Sequence, residues 1–199
     1  LYEMFMGPLE AAKPWNTQDV PGVHRFLNRV WRMVAGDEGQ PPLVAEGEAD
    51  ADLEQALHRL IKKVGADIEA MKFNTAIAAM MEFVNLIYKS VRIPVKLPDG
   101  SVKHDLIAGW ITRWQLERFV LVLSPFAPHI AEELWQRLGH AESLAHQPWP
   151  EYDEERIVAE RVELAVQVNG KVRARVSVPA DADEQAAIDA ALADEKVAA

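Results

Sequence analysis

The stretch Val20-Pro-Gly-Val-His-Arg-Phe-Leu-Asn-Arg-Val-Trp-Arg-Met-Val-Ala35 has the apolar spacing of an amphipathic helix. Its apolar residues recur at intervals of three and four, which places them on one side of a helix. They are Val23, Phe26, Leu27, Val30 and Val34. Pro21 suits the first turn of such a helix, and Gly36 suits the position after its last turn. We therefore predict a helix over Val20–Ala35 that buries one side.

Similar spacing occurs on both sides of this stretch. It predicts helices over residues 1–12, 51–68, 74–89, 105–123 and 128–138. Asn74 is a candidate N-cap for the helix that it begins. Residues 36–49 and 91–104 are rich in turn-forming residues and are predicted to be connections. Helices joined in this way predict an antiparallel helical bundle over residues 1–152.

The pattern changes after Pro150, which predicts a second domain over residues 153–199. Apolar residues alternate with period two across residues 162–178, with Asn169-Gly170 between the two halves, a strong signal for a β-hairpin. Asp181 and Glu184 have the spacing of a capping box that opens a helix over residues 181–197. We expect this small α+β domain to be truncated, because a two-stranded ribbon with one helix is marginal on its own. The fold class is therefore mainly α, a bundle followed by a small α+β domain.

The register of the predicted hairpin is constrained by its side chains. A two-residue Asn169-Gly170 loop, continued without interruption, would pair Val166 with Arg173 and turn one set of valines to the wrong face. Pairing Val168 with Val172 would keep the apolar sets together. We therefore expect a three-residue loop or a bulge beside the turn. Either would place Lys171, Arg173 and Arg175 on the solvent face.

Composition limits the classes of function. The 199 residues carry a formal net charge of -10 and no cysteine, which excludes disulfides and thiolate metal sites. A cysteine-free chain suits a cytoplasmic protein. No apolar run approaches the roughly 20 residues of a membrane span, so we expect no membrane partner. The start at Leu1, without an initiating Met, suggests a piece of a longer protein.

Two basic clusters are candidate nucleic-acid contacts despite the acidic average. Arg25, Arg29 and Arg32 share one face of the first predicted helix, and Lys171, Arg173 and Arg175 alternate on one strand. Spacing alone favours a solvated face paired with acids for the first set, and the second could equally be an edge strand protected by charge. Trp110, Trp114, Trp135 and Trp149 could stack on unpaired bases, although spacing favours core or helix-contact positions for Trp110 and Trp114.

Sites for chemistry are not evident in the sequence. It contains no Gly-rich phosphate loop and no nucleophile elbow, and its histidines are dispersed. His129 with Glu132 and Glu133 could be imagined as metal ligands, but residues at the start of a helix explain them better. We therefore predict no catalytic, cofactor-binding or metal-binding residue in this chain, which would be inactive by itself.

Several motifs resemble bacterial leucyl-tRNA synthetases, in the order of that family and across nearly the whole chain. They are Tyr2-Glu-Met-Phe-Met-Gly-Pro-Leu-Glu10, Lys13-Pro-Trp-Asn16, Gly22–Arg32, Met71-Lys-Phe-Asn-Thr-Ala-Ile-Ala78, Ser124-Pro-Phe-Ala-Pro-His-Ile-Ala-Glu-Glu-Leu-Trp135, and Val166-Gln-Val-Asn-Gly-Lys-Val-Arg173 leading to Val178-Pro-Ala180. The Ser124–Trp135 motif is shared more loosely with valyl and isoleucyl enzymes. The Val166–Arg173 motif is the most leucine-specific.

This resemblance implies an anticodon-binding-type helical bundle and the start of the C-terminal domain of a class I synthetase. The whole enzyme would use ATP and Mg²⁺ to attach leucine to tRNA(Leu), in a catalytic domain that this chain lacks. The implied partners are tRNA(Leu) and the catalytic and editing domains of the same longer chain, which we expect to be cytoplasmic and monomeric. Two alternatives remain: a scaffold that braces the catalytic core, and the equivalent region of a valyl or isoleucyl enzyme.

Overall fold

The computed structural model describes residues 1–37, 42–45, 49–90, 92–96, 102–106, 111–157, 161–168, 171–179 and 182–193. Its residues form two compact units, Leu1–Asp153 and Glu154–Ala199. The first unit is helical and the second contains a β-hairpin and two helices. The predicted fold class, a mainly helical bundle followed by a small α+β domain, is confirmed.

The first unit contains six α-helices among its described residues. They are α1 (Tyr2–Phe5), α2 (Val20–Ala35), α3 (Ala51–Glu69), α4 (Phe73–Ser90), α5 (Arg113–Leu123) and α6 (Pro128–Arg137). Contacts between the long helices close a ring in the order α2, α4, α3, α5, α6 and back to α2. The largest fully buried side chains include Met33, Leu57, Met80, Phe119 and Leu134, so each of these five helices supplies part of one core.

The prediction for α2 is confirmed at both ends. Pro21 lies in its first turn and Gly36 follows its last residue. The backbone of Gly36 has a φ of 74°, a left-handed value that glycine adopts without a steric penalty. The buried side chains are Val23, Phe26, Val30, Met33 and Val34. Period and terminal residues were therefore sufficient to locate this helix.

Several of the other predictions need correction. The first helix ends at Phe5 rather than Ala12, and the predicted loop 36–49 contains a short strand, β1 (Val44–Ala45). The predicted helix 105–123 begins only at Arg113. The residues before it form β2 (Arg92–Lys96), antiparallel to β3 (Val102–Leu106), and β4 (Ile111–Thr112), parallel to β1. Asn74 is not an N-cap, because α4 begins one residue earlier. Trp110 lies outside the described residues.

The start of α5 has a clear local cause. Thr112 and Gln115 form a capping box in which each side chain accepts a hydrogen bond from the other residue's backbone N–H, at 3.3 Å for the Gln115 N–H and 3.1 Å for the Thr112 N–H. This motif satisfies two N–H groups that otherwise lack partners at a helix N-terminus. The N–H of Ile111 also donates to the carbonyl of Leu43 at 3.2 Å, and both side chains are buried. These contacts hold Ile111 and Thr112 in a strand, so the helix begins at Arg113.

A buried polar network joins α3 to α5 and to the end of the first unit. Glu54, His58 and Gln115 are 7%, 4% and 0% exposed. The two carboxylate oxygens of Glu54 lie 2.9 Å from His58 Nε2 and 3.0 Å from Gln115 Nε2. The backbone N–H of Asp153 donates to His58 Nδ1 at 2.9 Å. Charged and polar groups are rarely buried without such partners, and sequence periodicity does not reveal these.

The connection between α3 and α4 contains an unusual backbone conformation. Met71 has a φ of 57° although it is not glycine, and its side chain is 57% exposed. The next N–H, that of Lys72, donates to the carbonyl of Asp67 at 2.7 Å, as expected after a left-handed residue that ends a helix. A side chain with a Cβ is disfavoured at this φ.

Replacing Met71 with glycine is expected to stabilise the first unit by about 0.5–1 kcal/mol, because relief of the left-handed strain exceeds the entropy gained by the unfolded chain. Met71→Ala is the matched control, since it removes the exposed side chain but keeps the Cβ. Urea unfolding followed by the helical circular dichroism signal measures both changes. Equal effects of glycine and alanine would show that the backbone at this position is not strained.

The second unit contains α7 (Glu154–Ile157), β5 (Arg161–Val168), β6 (Lys171–Pro179) and α8 (Glu184–Leu192). Val168 pairs with Lys171, so the loop has two residues rather than three. A register shift between Val166 and Gln167 follows, which confirms the predicted bulge. Val166 then pairs with Ala174, which restores apolar pairing along the rest of the ribbon. The N-cap of α8 is Asp183, which accepts from the N–H of Ala186; the predicted cap Asp181 lies outside the described residues.

Candidate nucleic-acid interface

The arginines predicted to form one stripe on α2 have three different environments. Arg25 is exposed, and no carboxylate in the described part of the chain forms an ion pair with it. Arg32 is half-exposed, and its Nε lies 2.7 Å from the Asp37 carboxylate. Arg29 is partly buried. The shared helix face therefore presents Arg25 as an exposed cation and Arg32 with part of its charge neutralised.

Arg29 contacts the neighbouring helix α4. Its guanidinium donates to the side-chain oxygen of Asn85 and, at 3.2 Å, to the carbonyl of Val84. It also lies over the ring of Tyr88, with 4.4 Å between the guanidinium carbon and the ring centroid. The Tyr88 hydroxyl donates to the Arg29 carbonyl at 2.9 Å. These contacts indicate that Arg29 holds α2 against α4.

Helix α6 contributes a cation next to the α2 face that local sequence patterns did not identify. The guanidinium carbon of Arg137 lies 4.6 Å from the centroid of Trp31, and its Nε lies 2.8 Å from the Glu133 carboxylate. Both charged side chains are 48% exposed. A contact between residues of α2 and α6 has no signal in local spacing, because it depends on how the two helices pack.

The second predicted cluster lies on β6 of the hairpin. The register places Lys171 opposite Val168 and Arg175 opposite the exposed Ala165. Arg173 is the additional residue at the bulge. The alternate positions Ala174, Val176 and Val178 are buried. The two predicted clusters therefore belong to different compact units, α2 to the first and β6 to the second.

The tryptophans are distributed differently from the prediction. Trp114 is 46% exposed, which excludes the core position and leaves the helix-contact alternative, and Trp149 is 39% exposed. Trp135 is buried and stacks on His140, with 3.7 Å between ring centroids and an interplanar angle of 9°. The indole of Trp149 lies beside Gly65 of α3. Only Trp114 and Trp149, among the described members of the predicted set, present substantial ring surface to solvent.

Glu132 and Glu133, the acids of the candidate metal site near His129, bind other groups. Glu132 accepts from Ser143 and from the N–H of Leu144, and Glu133 pairs with Arg137. Among the described residues, no group of three or more His, Asp or Glu side chains is arranged to hold a metal ion. No described helix is both long enough and apolar enough to cross a bilayer.

Comparison with known protein families identifies the class of domain to which this bundle belongs. The family described as the anticodon-binding domain of tRNA ligase matches residues 50–188. This match covers well over half of the chain, and the chain belongs to that family.

The similar proteins are leucine–tRNA ligases. The chain is 48% identical over 198 residues to a leucine–tRNA ligase of Nocardia farcinica and 48% identical over 201 residues to one of Mycobacterium ulcerans. Each match covers 100% of this chain and 19% of the relative, so the chain spans about a fifth of their length. The resemblance to leucyl-tRNA synthetases inferred from the motifs is confirmed.

A solved structure shows the same arrangement of elements. A LeuRS of Agrobacterium radiobacter K84, determined as a ternary complex with tRNA and LeuAMS, matches with a TM-score of 0.69 and 30% sequence identity. The match covers 99% of this chain and 25% of that one. The fold assigned to this chain therefore occurs in a synthetase whose structure contains tRNA.

Proposed function

We propose that this chain is the tRNA-binding part of a leucine–tRNA ligase and that it positions tRNA(Leu) for ATP-dependent leucylation. The observation that carries the proposal is the 48% identity to leucine–tRNA ligases across the whole chain, together with the family match. Catalysis would take place in another part of the longer protein, since the described residues offer no arrangement for it. ATP and Mg²⁺ would bind in that part, not here.

The contribution of this chain would be alignment of the tRNA. Exposed cations contact phosphates without reading sequence, and so determine where a nucleic acid lies. Arg25 and Arg32 would make one such contact, and Lys171, Arg173 and Arg175 a second. Alignment of this kind matters for the reaction, because a displacement of about 1 Å can reduce a rate by on the order of 100-fold.

The proposal extends to the cellular context of the protein. The longer chain would act in the cytoplasm as a monomer, with its catalytic and editing domains contacting this part. No further binding partner is needed to explain the features described above.

A passive scaffold is the second candidate, and one observation favours it. Arg29 and Arg32 both contact protein groups, which reduces the charge that α2 offers to RNA. A scaffold would bind the catalytic domain and not tRNA. The corresponding region of a valyl or isoleucyl enzyme is disfavoured by the leucine–tRNA ligases among the relatives.

Titration of the purified chain with tRNA(Leu) and with a tRNA that lacks the long variable arm tests the proposal. We expect tighter binding of tRNA(Leu), with an affinity that falls steeply as salt is raised, because phosphate contacts release counterions. Equal affinity for both tRNAs, or no binding to either, would favour the scaffold.

Neutralising the strand cluster tests the second contact. We expect Lys171→Gln/Arg173→Gln/Arg175→Gln to reduce the magnitude of the log–log salt slope by about 3, roughly one for each phosphate that is no longer neutralised. Lys13→Gln/Lys72→Gln/Lys89→Gln is the matched control, since it makes the same change in net charge at exposed positions of the first unit. A strand variant whose salt slope equals that of the unmodified chain would remove these residues from the interface.

A further inference from the structure

The first turns of α5 contain an exposed indole that carries a stacked guanidinium. Trp114 is 46% exposed. The guanidinium carbon of Arg118, one helical turn later, lies 4.3 Å from the centroid of its ring. Such an interaction holds the ring in one orientation while leaving part of its surface open to solvent. An exposed, oriented aromatic ring is the element that proteins use to stack on unpaired bases.

The charge around this ring favours an anionic partner. Helix α5 contains Arg113, Arg118 and a single acid, Glu117. One oxygen of Glu117 already lies 3.0 Å from Arg113 Nε and 2.8 Å from His140 Nε2. Arg113 nevertheless remains 55% exposed. Arg118 therefore stacks on the ring of Trp114, and the exposed Arg113 directly precedes Trp114 in the same helix.

We propose that Trp114 is a stacking platform for an unpaired base of the bound tRNA, with Arg118 orienting the indole and Arg113 adjacent to the neighbouring phosphate. This inference rests on the proposed tRNA-binding function and extends it to a helix that the basic clusters did not include. RNA is favoured over a protein partner because one guanidinium stacks on the ring, a second exposed cation precedes it in the helix, and RNA supplies both flat bases and phosphates.

Trp15, a more exposed tryptophan of the first unit, provides a comparison. Trp15 is 61% exposed, but its ring packs edge-on against Tyr2, with 4.9 Å between the centroids. The cation–π contacts of the described residues pair Arg118 with Trp114 and do not include Trp15. Replacing Trp15 therefore tests whether any exposed indole contributes to binding of the tRNA.

The experiment measures binding of tRNA(Leu) to the full 199-residue chain and to Trp114→Ala, Trp114→Phe and Trp15→Ala at several salt concentrations. We expect Trp114→Ala to weaken binding by about 5- to 100-fold, the range found when one base-stacking ring is removed. The salt slope should not change, because no charge is removed. Trp114→Phe should retain most of the affinity, and Trp15→Ala should bind like the unmodified chain.

A second probe separates stacking from general attraction. An unstructured RNA oligonucleotide and a fully paired RNA duplex of the same length are compared on the same variants. Trp114→Ala should lose affinity for the single strand and keep its affinity for the duplex, whose bases are already stacked. Equal losses on both RNAs would overturn the stacking role.

The remaining outcomes distinguish the two proposals. If the unmodified chain binds tRNA(Leu) and Trp114→Ala binds it equally well, the stacking platform is wrong and the proposed function stands. If Trp114→Ala and Trp15→Ala weaken binding alike, Trp114 has no specific role. If the unmodified chain binds no tRNA, the proposed function fails and this inference fails with it.

Discussion

Replacing Glu54 with glutamine is expected to destabilise the first unit by about 2–3 kcal/mol, although the two side chains have nearly the same shape. The reason lies in two of its partners, His58 and Gln115, both of which donate to it. The backbone N–H of Asp153 occupies His58 Nδ1, so the ring proton is on Nε2 and points at Glu54. The backbone N–H of Thr112 occupies the Gln115 oxygen, so the amide NH₂ group points at Glu54.

A glutamine at position 54 offers one acceptor where two are required. Its NH₂ group would therefore face either the His58 ring proton or the Gln115 amide, and one buried donor would lose its partner. Neither neighbour can reverse its role, because backbone N–H groups hold both orientations. Position 54 thus requires a carboxylate because two neighbours donate hydrogen bonds to it, and not only because the group is charged.

The exchange Glu54→Gln/Gln115→Glu provides the decisive variant. The new amide at position 54 would accept from His58 and donate to the new carboxylate at position 115, whose other oxygen would still accept from the Thr112 N–H. Most of the stability should return. Glu82→Gln, at an exposed position of α4, is the control and should change stability by less than about 0.5 kcal/mol.

Urea unfolding monitored by the helical signal measures all three variants. A stable Glu54→Gln single variant would show that the donors can rearrange. If the exchange variant is no more stable than Glu54→Gln alone, the donor and acceptor pattern is not the cause of the destabilisation.

Two features determined by residues close together in the sequence were predicted correctly, and features determined by contacts between distant residues were not. Helix α2 was located at both ends because its period, Pro21 and Gly36 are all local signals. The bulge in the hairpin was predicted because valines and basic residues alternate in conflict with an Asn-Gly loop. In both cases the information lies within a single helix or hairpin.

The errors have equally specific causes. The apolar residues between 105 and 123 fit a helical period, but the Thr112–Gln115 capping box, a local signal that the period masks, begins the helix at Arg113. Trp114 was assigned to the core or to a helix contact because it is apolar and follows the helical period, whereas it is exposed and stacks against Arg118. The Glu54–Gln115 pair could not be predicted, because its members are separated by 61 residues and meet only when α3 packs against α5.

Replacing Arg29 with alanine is expected to destabilise the first unit by about 2–3 kcal/mol, from the loss of hydrogen bonds made by a charged donor and of a cation–π interaction. The unfolding midpoint in urea should fall whether or not tRNA is present. Arg29→Lys should recover little of this stability, because an ammonium group cannot reproduce the planar fork that reaches both Asn85 and the Val84 carbonyl.

Arg25→Ala is the matched variant, one helical turn earlier on the same face. Its exposed side chain should contribute less than about 0.5 kcal/mol to stability. It should instead weaken tRNA(Leu) binding and reduce the magnitude of the salt slope by about 1 if it contacts a phosphate. The two neighbouring arginines would then separate by function, one holding the bundle together and the other available to RNA.

The comparison is decided by two measurements on each variant, the free energy of unfolding and the salt dependence of tRNA binding. An Arg29→Ala protein of normal stability with a reduced salt slope would mean that its contacts to α4 are dispensable and that all three arginines face the tRNA. An Arg29→Lys protein that binds tRNA normally yet unfolds at lower urea would show that position 29 needs the shape of arginine and not its charge. Because the charge at position 29 is the same in lysine and arginine, only that variant separates the packing role from the electrostatic one.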